Sequence, residues 1–172
     1  MQLQNPLWAF ALKVYSHSEV EACCLALQND YGMSINRLLY AAWLATQQKL
    51  LDTATLKRSV AQQWQSGMTH PLRALRYRVR SLRVDEPALD AFYTAMRKAE
   101  LEAEKVELAY LYVLAQRWPV EERSVECLMA ENIKRLVSED TASADTEYVS
   151  AGQRDLLSSF SQYIMREQAG KG

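Results

Sequence analysis

Between His70 and Val84 the chain carries five arginines and no acidic residue, and a glutamate-rich stretch from Glu100 to Glu107 follows shortly after. At 3.6 residues per turn, Arg73, Arg76, Arg80 and Arg83 fall within roughly 80° of one helix face. Leu72, Leu75, Val79 and Leu82 occupy the adjoining arc. The next helical pattern places Glu100, Glu104 and Glu107 in a similar stripe beside Phe92, Met96, Ala103, Val106 and Tyr110. Two amphipathic helices edged with opposite charge and joined through Asp85-Glu86-Pro87 are expected to fold back on each other. The pattern predicts an antiparallel helical hairpin over about 71–84 and 88–118.

The hairpin also implies a register. If the chain reverses near residues 85–86, equal rise in both arms sets Arg73 beside Lys98 to Glu100 and Arg80 beside Asp90. Arg73–Glu100 and Arg80–Asp90 are then the expected structural ion pairs, while Arg76 and Arg83 have no obvious partner. Glu104 and Glu107 would lie past the proline end of the hairpin, level with the corner between the fourth and fifth helices.

A chain of 172 residues can bury a full core as one domain. Only 5 Gly and 4 Pro leave few breakers, which favours long helices over a turn-rich β fold. The net charge of −1 argues against a surface given over to nucleic acid or anionic membrane. Charge is uneven locally, with eight acids between Glu121 and Glu147 against Arg123, Lys134 and Arg135. Cys23, Cys24 and Cys127 are an odd number without metal-type spacing and read as reduced thiols of a cytoplasmic protein. Met1 to Tyr15 has no basic segment ahead of an apolar run, and no window approaches the ~20 apolar residues of a membrane span. A soluble, cytoplasmic protein without membrane attachment is expected.

Asn5-Pro6 reads as a helix start, Ser18 with Glu21 as the next, and Gly32 as a stop. Ser34 opens the most apolar segment, running to about Leu51, which is the expected central helix. A fourth helix reaches about Gln65 and ends at Ser66-Gly67, and His70-Pro71 opens the arginine helix. After the long helix to Trp118, a seventh spans about Val120 to Val137. Trp8, Trp43, Trp64 and Trp118 are expected as buried anchors, Trp118 the most exposed of them. The predicted fold is all-α, a single-domain bundle of about six to eight helices. Its domain covers residues 1–137, an acidic linker 138–150, and an amphipathic C-terminal helix and tail 151–172.

No catalytic, cofactor-binding or metal-ligating set emerges from the residues. Di-iron bundles need Glu-x-x-His pairs, and neither His17 nor His70 follows a glutamate at that spacing. A nucleophile elbow and a phosphate-cradling glycine loop are both missing. Arg73, Arg76, Arg80 and Arg83 remain as the candidate surface for an anion or a partner.

The pattern LWAFALKVYSHSEVEACCLALQNDYGMSINRLLYAAWLA, followed by HPLRALRYRVRSLR and AELEAEKVE, resembles an uncharacterised family of short proteobacterial proteins, a domain of unknown function. The likeness spans about residues 7–112 and leaves out the acidic C-terminal part. It implies a cytoplasmic bacterial helical protein and carries no activity, cofactor or catalytic residue with it.

Together these features lead to a non-enzymatic interaction, adaptor or regulatory protein with a protein partner. The alternative is a binder of an anionic ligand or RNA through Arg76, Arg80 and Arg83, with nucleic acid not favoured. An enzyme of unfamiliar type built on Glu100, Glu104 and His70 is the third reading. The terminal helix is expected to dock on its own bundle, with homodimerisation by exchange as the other option.

Overall fold

A computed structural model describes residues 1–141 and 150–169, and every regular element among them is helical. Helix α1 (Pro6–Tyr15) starts where expected: the Asn5 side-chain oxygen accepts from the Trp8 N–H at 3.0 Å, and Pro6 occupies a position needing no N–H. Helix α2 (Ser18–Tyr31) stops at Gly32, whose φ of 67° lets its N–H return to Leu27 O.

Helix α3 (Ile35–Thr46) is the axis of the bundle. Every residue from Ile35 to Ala45 is buried, Asn36 and Arg37 included. Its neighbours are α1, α2, α7 (Asp90–Ala115), α8 (Val125–Thr141) and α9 (Ala151–Ala169). It ends before Leu51 because Gln48 takes the left-handed conformation, φ 53°, while Lys49 N–H bonds Leu44 O at 2.9 Å. A left-handed stop made without glycine leaves little trace in a sequence. Tyr40, fully buried, joins an aromatic cluster with Trp43 and with the half-buried Trp118, at centroid distances of 6.5 and 5.8 Å.

The expected break at Ser66-Gly67 does not occur. Helix α4 (Thr53–Lys57) and then α5 (Val60–Trp64) lead into a π turn, Gln65–Thr69, which runs directly into α6 (His70–Leu82). Pro71 has no N–H to return to Gly67 O, and the wider π turn, with His70 N–H bonded to Gln65 O, carries the chain past it. Gly67 itself lies in open space, so it weakens the helix without ending it. A short 3-10 segment, Pro87–Leu89, then leads into α7.

Helix α8 begins at Val125, later than Val120, and continues to Thr141 into the segment read as linker. No glycine or proline stands between Val137 and Gly152 to stop it. The rest of that acidic linker, residues 142–149, lies outside the described residues, as do 170–172. Helix α9 lays Leu157, Phe160 and Ile164 against its own chain, chiefly on α2, with Cys23 Sγ 3.2 Å from Leu156 O and Lys13 paired to Glu167 at 2.6 Å. No helix among the described residues is long and apolar enough to cross a membrane.

One buried side chain ties α8 to the end of α3. Asn132, with no exposed surface, donates to Ala41 O at 3.1 Å and Lys49 O at 3.0 Å and accepts from Leu51 N–H at 2.8 Å. Asn132→Ala strands these backbone groups in the core and should cost about 2–4 kcal/mol in urea denaturation. A loss below about 1 kcal/mol would show that they find other partners.

Candidate functional site

The interior of the bundle holds a chain of charge. Helix α7 supplies Glu100, Glu104 and Glu107, one helical turn apart and turned toward α3, the π turn and α6. Across from them stand Arg73 and Arg76 on α6 and Arg37 on α3. Arg73 Nε donates to Glu100 Oε1 at 2.9 Å, and its Nη2 donates to Glu104 Oε1. Arg76 Nε donates to the other oxygen of Glu100. Deeper in, Gln65 Nε2 donates to Glu107 Oε1 at 3.0 Å and to Ser34 Oγ at 2.8 Å, while Arg37 Nε stands 3.7 Å from Glu107. Arg37 Nη2 reaches Gln62 Oε1 at 3.2 Å, and Trp64 Nε1 closes the upper end on Ala103 O at 2.9 Å.

Three guanidinium groups therefore face three carboxylates, and the network is neutral as a whole. Its ends differ in depth. Glu107 has no exposed surface and Arg37 is 4% exposed, whereas Arg73 and Arg76 retain a partly open edge. Burial pushes the Glu107 carboxyl above its ordinary value, with Arg37, Thr69 and Asn36 pulling it back. Burial also raises Glu104, opposed by Arg73 and reinforced by Glu100. Desolvation works against the charge of Arg76, but its hydrogen bond to Glu100 and the Glu100 charge outweigh that and hold it more firmly protonated.

The hairpin register departs from equal rise about residues 85–86. Arg73–Glu100 forms as expected, but Arg80–Asp90 does not: Asp90 pairs with Arg83 at 3.1 Å. The reason lies in the turn. Helix α6 stops at Leu82 and the 3-10 segment occupies 87–89, so Asp90, the first residue of α7, meets the end of α6 and not the turn before it. Arg76 shares Glu100 with Arg73, because one carboxylate can accept from two guanidinium groups. Glu104 joins the hairpin through Arg73. Arg80 is exposed and makes no ion pair among the described residues.

His70 is exposed, beside a surface cleft, and has no bond to Glu100 or Glu104, so the three do not form one constellation. Among the described residues no group of three or more His, Cys, Asp or Glu is placed to hold a metal ion. Arg37, Gln65 and Ser34 belong to the network, and the sequence reading gave none of them a place in a site. The signal for Arg37 was present: an Asn-Arg pair inside the most apolar helix has to find polar partners once buried.

A helical bundle built about a buried, charge-balanced arginine–glutamate network defines the class of protein. The chain belongs to a family described as protein of unknown function (DUF2390), whose model matches residues 6–111. The match runs from α1 through most of α7, contains every residue of the network, and ends before α8 and α9. No curated protein and no solved structure matches the chain.

Two expectations test the network. Arg76→Ala should lower stability by about 1–3 kcal/mol in chemical denaturation, while Arg80→Ala should change it by less than about 0.5 kcal/mol. Equal effects would mean that Arg76 is a surface residue in solution. For pH, a carboxyl raised by folding binds its proton more readily in the folded than in the unfolded chain. Its contribution is complete below the ordinary value of 4.5 and is lost as pH rises through the folded value. Glu107→Gln should remove that slope, so wild type loses stability relative to the variant as pH climbs from 4.5 to neutrality. Parallel stability curves would contradict a raised Glu107.

Proposed function

We propose that the protein is a non-enzymatic helical interaction module, an adaptor or regulator, that receives its partner on the outer surface of the α6–α7 hairpin. The observation that carries this reading is the hairpin's uncovered apolar surface. Leu82 is 57% exposed, Val84 78% and Phe92 50%, and Leu75 is also exposed. On α6 the exposed Leu75, Arg78 and Leu82 share one stripe, and on α7 the exposed Phe92, Ala95 and Ala99 form another. Rows at this spacing match the anchor positions of a docking helix. Helix α6 packs chiefly on α7 and the π turn, so its outer side is not shared with the rest of the bundle.

Charge gives the partner its chemistry. Arg78, Arg80, Arg97 and Lys98 are exposed along the hairpin, while Arg73 and Arg76 are committed to Glu100 and Glu104. An acidic amphipathic segment of another protein complements this mixture of aliphatic stripe and cationic border. The same arithmetic weakens the nucleic-acid alternative. Of Arg76, Arg80 and Arg83, two already hold carboxylates, so the row offered to a phosphate backbone is broken. A cytoplasmic setting belongs to the same proposal, supported by three free thiols. The apolar face of α9 is covered by its own chain, which favours the hairpin over the terminal helix as the contact.

The test is a double variant, Leu82→Glu with Phe92→Glu, compared with wild type by crosslinking through Lys98 in native lysate and mass spectrometry. Its fold should survive, with stability within about 0.5 kcal/mol of wild type, because both side chains are on the surface. A partner captured by wild type should bind the variant at least tenfold more weakly. Undiminished capture would place the contact elsewhere and overturn the reading.

A further inference from the structure

A cleft of about 500 Å³ lies between the end of α2, the start of α3 and α6. That falls within the range of roughly 300–1,000 Å³ typical of small-molecule sites. Its walls include Gln28, Asn29, Ser34, His70, Arg73 and Tyr77, and no carboxylate lines it. We propose that this cleft binds a small molecule through an oxyanion group, a carboxylate or a phosphate. The proposal is independent of the hairpin contact, since it uses the opposite resource: a polar recess in place of an apolar projection.

The hydrogen-bond inventory of the walls points one way. Gln28 Nε2 donates to Tyr77 Oη at 3.4 Å, and Tyr77 Oη donates to Asn29 Oδ1 at 3.2 Å. This chain occupies the Asn29 acceptor, and among the described residues its Nδ2 makes no hydrogen bond. Ser34 Oγ already accepts from Gln65, which leaves its hydroxyl hydrogen to give. Arg73 directs Nε and Nη2 to Glu100 and Glu104, and neither carboxylate engages its Nη1. Arg73 is therefore a guanidinium fixed from behind, with a spare donor group on a side chain that lines the cleft. Ser34 also precedes the first turn of α3, which has no side-chain cap, so helix N–H groups add partial positive charge at the same wall.

The local field agrees with the inventory. Partial desolvation by the cleft walls is the first cause that lowers the His70 pKa, although the ring stays open to solvent, and the next two are the positive charges of Arg73 and Arg37. The cationic members of the network are thus felt at the cleft, although the network is neutral in sum. A ligand supplying acceptors and negative charge meets walls that carry the donors of Asn29, Ser34 and Arg73.

Two-dimensional amide NMR of the full chain, titrated separately with inorganic phosphate and with acetate against sodium chloride at equal ionic strength, tests the idea. Expected are saturable shifts confined to the amides around Asn29, Ser34, His70 and Ala74 with at least one probe, the better probe naming the head group. Asn29→Asp keeps the acceptor for Tyr77 and adds a negative charge at the rim, and should weaken binding at least tenfold. The Leu82→Glu/Phe92→Glu variant should bind as wild type does. Shifts that never saturate, that match the chloride control, that centre on Arg78 and Arg80, or that persist unchanged in Asn29→Asp would overturn the proposal.

Discussion

A carboxylate with no exposed surface cannot remain unaccompanied, and Glu107 is such a group at the centre of this bundle. Removing its oxygens from water costs several kcal/mol unless donors meet them. Gln65 and Arg37, with Thr69 and Asn36 beside them, gather there from two segments that are distant in sequence. Each of those residues is positioned by an element that the requirement helps to explain. The buried polar pair Asn36-Arg37 sits on the axial helix, and the π turn brings Gln65 and Thr69 to the interior.

From that point outward the network sets the relation of α6 to α7. Glu104 and Glu100 continue the stripe toward the surface, and Arg73 links both, so the hairpin is pinned where it joins the bundle. Near its tip the charged contact is Arg83–Asp90, a surface pair that contributes little. Such a gradient, firm at the root and lightly held at the tip, suits a projection that meets another molecule. It also explains why arginines that look equivalent in a helical projection divide into structural members and exposed ones.

The donor-lined cleft and the apolar hairpin surface share helix α6 but make different demands. The cleft needs a guanidinium held still, which two carboxylates supply. The hairpin surface needs apolar side chains left largely open to solvent, such as Val84 and Phe92. A single helix, α6, meets both because different faces of it border the two environments.

Period and punctuation in the amino-acid order determined the helices themselves: the all-α class, the start at Asn5-Pro6, the stop at Gly32, the apolar axis from Ser34, and the paired stripes of the hairpin with Arg73–Glu100 between them. These are local matters, governed by side-chain spacing and backbone preference within a turn or two. The non-glycine stop at Gln48, the uninterrupted passage through Gly67 and Pro71, and the Arg83–Asp90 register were decided only by packing. So was the meeting of Arg37, Gln65 and Glu107, because a buried charge selects its partners from whatever the folded chain brings within hydrogen-bond reach, at any separation along the sequence.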